Sequence, residues 1–165
     1  GIYNSRAGGL GLCKQTIPAN SDWGASLRSA LRSKPRFIMV GEIRTPECAN
    51  EVLRAATSGH LVLATIHANN VTDAINSVVK YAAAFAMSED LAFDLFSRGM
   101  LGVIHQTLIG VTHKKPQISY IFTNPDTTKG DQVRGIVKGG KLNLATSIEQ
   151  QMTRMSRGLN IFPEV

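Results

Sequence analysis

The sequence predicts an α/β fold in which crossover helices connect the strands of a parallel sheet, followed by a helical C-terminal part. Two short apolar runs, at residues 37–40 and 60–66, have the continuous character of strands buried on both faces of a parallel sheet. Segments with the helical spacing of apolar residues precede, separate and follow these runs. The order helix–strand–helix–strand–helix implies parallel strands joined by crossover helices.

The composition is that of a folded globular domain. Of 165 residues, 43% are apolar and 18% are charged, a balance that excludes an intrinsically disordered chain. The net charge of +6 permits contact with a nucleotide, a nucleic acid or an acidic membrane face without choosing among them. No apolar run has the length of a membrane span, and the first residues do not form a signal peptide. The chain begins with Gly1 rather than methionine, which suggests a fragment or a processed product.

The first predicted elements surround the first apolar run. Residues 1–20 are expected to be irregular or strand-like, with a glycine-rich stretch at 7–11. A helix capped by Ser21 or Asp22 should run to about Ser33, where Lys34 and Pro35 stop it. Its apolar face is formed by Trp23, Leu27, Ala30 and Leu31.

Two further helices follow the two apolar runs. The second helix starts with Thr45 as its cap, Pro46 in its first position and Glu47 in its first turn. It is expected to run to Ser58, where Gly59 ends it. The third helix should begin between residues 69 and 72 and continue through 86.

The C-terminal part has a different pattern. Residues 88–110 are predicted to form one or two helices, with a core-facing stripe of Leu91, Leu95, Leu101, Ile104 and Leu108. We expect a strand at 118–122, a polar turn at 124–130 and helices at 131–138 and 145–157, the last with one face formed by Ile148, Met152 and Met155. A boundary near residue 87 or 112 divides a sheet-containing unit, 1–87, from a helical subdomain, 88–165.

The strongest chemical signal is Glu42, which follows the run 37–40 and Gly41. In open parallel sheets, ligands bind at the carboxyl ends of the strands. A carboxylate there can hold a magnesium ion through water, or orient an attacking water. The alternative is a structural ion pair between Glu42 and Arg44, and these residues alone give the two interpretations equal weight.

Two histidines flank the second apolar run. His60 and His67 are seven residues apart, so a straight strand through both would place them on opposite faces, which argues against a shared metal site. His67, near Thr65 at the carboxyl end, could donate a hydrogen bond to a phosphate oxygen. For a single histidine, however, a strand-end imidazole with only structural partners is the commoner case.

A basic set of residues precedes the Glu42 strand and consists of Arg28, Arg32, Lys34 and Arg36. Arg28 and Arg32 are four residues apart and therefore share a helix face. Arginines that face a nucleotide stabilise the charge of phosphoryl transfer. A solvated helix face is the simpler interpretation, and without further context the residues favour it.

The sequence contains no phosphate-binding loop of the Walker type. The pattern G-x-x-x-x-G-K-[ST] requires glycine directly before the lysine and a hydroxyl residue directly after it. Segment 8–16 meets neither requirement, and in segment 138–142 Leu142 stands where the hydroxyl residue should be. Cys13 and Cys48 form no C-x-x-C pair and are expected to be reduced thiols.

Three segments together resemble the type II/type IV secretion ATPase family, which includes pilus-extension and pilus-retraction motors and conjugation ATPases. Residues 26–32 (SLRSALR) match the helix of the family's Asp box, and residues 37–44 (FIMVGEIR) match its Walker B segment. Residues 56–69 (ATSGHLVLATIHAN) match its histidine box. Residues 98–108 look like a later helix with Gln-x-Leu, and residues 131–155 look like its C-terminal helices. The three motifs occur in the family's order and spacing, so the resemblance is specific.

The resemblance implies a partial RecA-like P-loop NTPase core and a set of site residues. Glu42 would be the catalytic carboxylate that positions water for attack on the γ-phosphate, and it would hold Mg²⁺ through water. His67 would contact or sense that phosphate, as the second catalytic residue, and His60 would structure the histidine box. The candidates for nucleotide or subunit contacts are Arg28, Arg32, Arg44, His60 and Thr65.

The resemblance also implies properties of the full-length protein. These are ATP and Mg²⁺ as cofactors, a homohexamer, inner-membrane platform proteins as partners, and a cytoplasmic location at the inner membrane. Direct binding of nucleic acid is not expected, because the few aromatic residues form no stacking platform. Since the Walker A loop is missing, this chain alone should bind ATP poorly. A non-catalytic assembly protein of such a system is the alternative function.

Besides the missing Walker A loop, the chain departs from the family pattern at three places. The usual D-P-D before the Walker B strand is Lys34-Pro35-Arg36, and this basic character favours the conjugation or type IVB-like branch. Thr45 replaces the aspartate that usually follows G-E-I-R, and Ala68 replaces the threonine of H-T-N.

Overall fold

The structure is a computed structural model, which describes residues 2–4, 12–14, 22–126 and 128–162. Strands β1 (Ile2–Asn4) and β2 (Leu12–Lys14) pair antiparallel. Helices and strands then alternate as α1 (Trp23–Arg32), β3 (Phe37–Val40), α2 (Pro46–Thr57), β4 (Leu61–Ala64) and α3 (Val71–Ala83). The remaining elements are α4 (Glu89–Gly99), β5 (Gly102–Ile109), β6 (Lys115–Phe122), α5 (Gln132–Lys138) and α6 (Ala145–Ser156). The two short strands agree with the strand-like prediction for residues 1–20, whose other residues, including the glycine-rich stretch, lie outside the described ranges.

The helix starts follow from side-chain caps. Asp22 caps α1 by accepting a hydrogen bond from the Ala25 amide at 2.8 Å. Thr45 caps α2, whose first residue is Pro46, and Asn70 caps α3. Each of these side chains accepts from an amide that the helix itself leaves without a partner. These starts confirm the sequence predictions, although α3 ends at Ala83 rather than at residue 86.

Strands β3 and β4 form a parallel pair connected by α2. Phe37 lies opposite Leu61, and Val40 lies opposite Ala64. This pair confirms the predicted parallel arrangement with a crossover helix. The side chains of Ile38 and Val40 point into the core and are buried.

The other face of this parallel pair is exposed, which corrects the prediction that the strands are buried on both faces. Phe37 retains 70% of its accessible surface, and Met39 retains 74%. Leu61 and Leu63 are also exposed on the neighbouring strand. The residues that the structure describes cover only one face of the sheet. Alternate residues of each apolar run are therefore exposed to solvent on the other face.

One buried apolar cluster contains residues from the helices and from two of the sheets. Ile75 and Val79 of α3 are fully buried at its centre, together with Ala92 of α4 and Ile121 of β6. The cluster therefore includes residues from both sides of position 87. The division into units at 1–87 and 88–165 stays a prediction.

The prediction of helices throughout residues 88–110 is wrong in its second half. Helix α4 ends at Gly99, and residues 102–109 form β5, which pairs antiparallel with β6. The resemblance of residues 98–108 to a helix fails for the same reason. The leucine spacing is compatible with a helix, but Val103, Ile104 and Thr107 are β-branched and favour a strand.

The stripe of apolar residues proposed for this segment is not the core. Leu91, Leu101, Ile104 and Leu108 are exposed, and Leu95 is half-buried. The core positions of α4 are instead Ala92 and Phe93.

The other C-terminal predictions agree better with the structure. The strand expected at 118–122 is the second half of β6, and α5 and α6 follow the polar turn as predicted. On α6, Ile148 and Met152 are half-buried, whereas Met155 is exposed. None of the helices in the described ranges is long and apolar enough to cross a membrane.

Candidate functional site

The carboxyl ends of β3 and β4 bring three of the predicted site residues to one edge of the sheet. Glu42 lies two residues beyond the end of β3. Thr65 directly follows β4, and His67 lies two residues further on. Because the strands are parallel and in register, side chains that follow their ends meet at the same edge.

Both carboxylate oxygens of Glu42 have a basic neighbour. Arg44 Nη2 lies 2.5 Å from Glu42 Oε2, and His67 Nε2 lies 3.4 Å from Glu42 Oε1. The Glu42 side chain is 22% exposed, whereas that of His67 is 94% exposed. The ion pair with Arg44 and the contact with His67 are therefore both present, so the structural and the functional interpretations of Glu42 do not exclude each other.

The electrostatics keep Glu42 ionised. The hydrogen bond from Arg44 is the main cause that lowers the pKa of Glu42, and the charges of Arg44 and His67 lower it further. Partial desolvation acts in the opposite direction and is outweighed. At neutral pH this side chain is a carboxylate, which accepts hydrogen bonds from water.

Replacing Arg44 with glutamine is expected to raise the pKa of Glu42 toward its ordinary value, because the guanidinium hydrogen bond is the main cause of the lowering. A depressed carboxyl pKa means that the ion pair is intact above the ordinary pKa and is lost as the pH falls through the lower folded value. A pH titration of the Glu42 carboxyl carbon by NMR measures the difference. The matched control is Arg98→Gln, which removes the pair with Asp94 and should leave the Glu42 curve unchanged. Superimposable curves for wild type and Arg44→Gln would show that Arg44 does not lower the pKa of Glu42.

Arg28 lies on α1 and contacts α2 rather than Glu42. Its Nη1 donates to Glu47 Oε1 at 2.6 Å and to Glu51 Oε1 at 3.2 Å, and these bonds raise the pKa of Arg28. Glu47 lies so close to α1 that a Cβ on Gly24 would clash with its side chain. Arg32 is exposed on the same helix. In this structure Arg28 connects two helices, and its nucleotide or subunit contact stays a prediction.

His60 and His67 lie at opposite ends of β4. His60 directly precedes the strand, and its Nδ1 is buried without a hydrogen-bond partner among the described residues. Within those residues, no group of three histidine, cysteine or acidic side chains could hold a metal ion. The two imidazoles therefore flank the strand, and the absence of a metal site shared by them stays a prediction.

Sequence reasoning missed the contribution of β5 to this region. His105 Nε2 lies 3.1 Å from the carbonyl oxygen of Ala68, the residue after His67. Since a carbonyl accepts, His105 donates this hydrogen bond and joins β5 to the segment that carries His67. The β-branched residues Val103, Ile104 and Thr107 were the available signal for a strand, but the leucine spacing led to a helical prediction.

Comparisons with known proteins agree with this arrangement. Residues 17–144 match the family model described as type II/IV secretion system protein. Type II secretion system protein E of Pseudomonas aeruginosa is 35% identical over 105 residues, which cover 62% of this chain and 19% of that protein.

Two solved structures share the fold. The pilus retraction motor PilT with bound ADP is similar with a TM-score of 0.61 and 27% identity, over 87% of this chain and 44% of that one. The Legionella pneumophila ATPase DotB has a TM-score of 0.60 and 24% identity, over 84% of this chain and 40% of that one. These matches confirm the predicted α/β fold of a partial RecA-like core. The chain spans less than half the length of each of the three proteins. Because the family model covers most of its residues, the chain belongs to the type II/IV secretion system protein family.

Proposed function

We propose that this chain is the part of an ATP-hydrolysing motor that carries the catalytic carboxylate. The motor would serve a type II secretion or pilus system, or a type IV system of the conjugation or type IVB-like kind. The observation that carries the proposal is the contact between Glu42, beyond the carboxyl end of β3, and His67, which follows the neighbouring strand. The lowered pKa of Glu42 agrees with a carboxylate at this edge. Membership of the secretion family supports the same conclusion.

In this proposal, Glu42 orients the water that attacks the γ-phosphate. A carboxylate can accept a hydrogen bond from that water and fix its direction of approach. Arg44 contacts one of the two carboxylate oxygens, and because a carboxylate accepts several hydrogen bonds, Glu42 can accept from the water while this ion pair persists. His67 is almost fully exposed and can donate a hydrogen bond to a phosphate oxygen.

Magnesium fits this edge only together with the nucleotide. Mg²⁺ keeps several waters and is usually bound through one or two carboxylates and the substrate phosphates. The Glu42 carboxylate can supply a contact through water, whereas the described residues offer no group of three ligands for a protein-only site. The ion would neutralise charge on the β- and γ-phosphates.

The remaining parts of the motor lie outside this chain in the proposal. The sequence has no Walker A loop, and the chain spans less than half the length of its matched relatives. We therefore place the phosphate-binding loop in another part of the full-length protein. We further propose a homohexamer at the cytoplasmic side of the inner membrane, coupled to platform proteins of the secretion or pilus system. Arg28, Arg32 and His60 are candidates for contacts with the nucleotide or between its subunits.

The 165-residue chain alone is expected to show no magnesium-dependent ATP hydrolysis, because no backbone loop and lysine hold the phosphates. The full-length protein should hydrolyse ATP under the same conditions. Phosphate release measured with equal molar amounts of each protein tests both statements. Turnover by the chain alone would show that the absent loop is dispensable. An inactive full-length protein, purified as the folded oligomer, would favour the non-catalytic assembly role instead.

A further inference from the structure

Thr65 makes hydrogen bonds on both sides of Glu42. Its amide donates to the carbonyl of Val40 at 3.4 Å, and its carbonyl accepts from the amide of Ile43 at 2.8 Å. Its hydroxyl donates to the carbonyl of Gly41, which directly precedes Glu42. Thr65 thus forms hydrogen bonds with the backbone at positions 40, 41 and 43, and Glu42 lies between these bonded positions.

These bonds extend the parallel ladder beyond the regular strands. Strand β3 ends at Val40 and β4 ends at Ala64, so residues 41–44 lie outside regular secondary structure. A segment of this kind would adopt several backbone conformations without further contacts. The bonds from Thr65, together with the burial of Ile43 in the core, select one conformation, and in it the Glu42 carboxylate is directed toward Arg44 and His67.

The hydrogen bond from the Thr65 hydroxyl is not needed to satisfy a buried carbonyl. Thr65 and Gly41 are both exposed, so water can replace the hydroxyl at the Gly41 carbonyl. A Cβ on Gly41 would meet nothing within 4 Å, so side-chain packing does not fix the backbone at position 41, whereas the buried side chain of Ile43 anchors the other side of Glu42. Loss of the hydroxyl should therefore change the stability of the whole fold little and act on the segment around Glu42.

We propose that Thr65 is a positioning residue, which fixes the backbone around Glu42 through its hydroxyl, rather than a residue that contacts the nucleotide. The inference rests on the proposed function, in which Glu42 orients the attacking water. A misplacement of about 1 Å can lower the rate of such a reaction about 10²-fold. The hydroxyl then acts on turnover through Glu42, without touching the substrate.

The test compares Thr65→Val, which keeps the shape of the side chain and loses the hydroxyl, with Thr65→Ser, which keeps the hydroxyl. In the 165-residue chain, amide hydrogen exchange measured by NMR should be about tenfold faster at Ile43 in Thr65→Val. Exchange at Val52, inside α2, should be unchanged, and Thr65→Ser should exchange like wild type. Equal exchange at Ile43 in all three proteins would overturn the proposal.

The kinetic test uses the full-length protein. Thr65→Val should lower kcat by about 10- to 100-fold and leave the KM for ATP unchanged, while Thr65→Ser retains most of the activity. A raised KM with unchanged kcat would overturn the proposal, because it would identify Thr65 as a nucleotide contact. If Glu42→Gln is inactive and Thr65→Val is fully active, only the role of Thr65 is wrong. If Glu42→Gln is fully active, the proposed function itself fails.

Discussion

Glutamine at position 42 is expected to lower the kcat of the full-length protein by about 10³-fold, within the range that removal of a general base or water-orienting group usually gives. The amide has nearly the size and shape of the carboxylate, so the fold should be unaffected. It has lost the negative charge, however, and one of its two accepting oxygens has become a donor. Initial rates at saturating ATP and magnesium measure the effect.

The control for Glu42→Gln is Glu149→Gln on α6, where the side chain is exposed. This second substitution makes the same chemical change and should leave kcat within about twofold of wild type, as is usual for exposed positions. If both variants kept wild-type kcat, Glu42 would have no role in catalysis. If both lost activity equally, the effect would come from the change in net charge rather than from the site.

Truncation of Ile75 to alanine is expected to lower the free energy of unfolding by about 3–4 kcal/mol. Ile75 is fully buried on α3, the helix that contacts both α2 and α4. Removing three carbon atoms there loses apolar burial and leaves a cavity that the surrounding helices close only in part. Urea unfolding of the 165-residue chain, followed by circular dichroism, gives the change in midpoint.

Ile104→Ala is the matched control for Ile75→Ala, since it removes the same atoms from β5 at a position that is 64% exposed. It should cost no more than about 0.5 kcal/mol, as is usual at exposed sites. The pair also tests the corrected fold of residues 88–110, because the helical interpretation placed Ile104 in the core. If both variants lost the same free energy of unfolding, the exposed position of Ile104 would be wrong.

The elements that the sequence predicted correctly depend on local chemistry. Thr45 and Pro46 mark the start of α2 because a capping side chain and a fixed φ act within a few residues. Glu42 could be assigned to the site for a similar reason. A short apolar run followed by a carboxylate implies a strand end, and parallel strands place their ends together.

The features that the sequence could not predict depend on distant contacts. Residues 102–109 form a strand because β6, which follows after the loop 110–114, supplies the pairing partner, and for Gly102 that partner is Phe122. The bond from Thr65 to Gly41 joins residues 24 positions apart, and the bond from His105 to Ala68 joins residues 37 positions apart. A pattern of residue types along the chain contains no information about which distant backbone atoms meet.

The exposed face of the parallel pair has a consequence for how such a motor is built. Phe37, Met39, Leu61 and Leu63 form an apolar surface on neighbouring strands, and each would contribute roughly 1.5–3 kcal/mol if it were fully covered. A polypeptide that covers this surface would stabilise the strands that position Glu42 and His67. Docking of such a segment and folding of the sheet would then be thermodynamically linked, so the stability of these strands would depend on the concentration and affinity of whatever covers them.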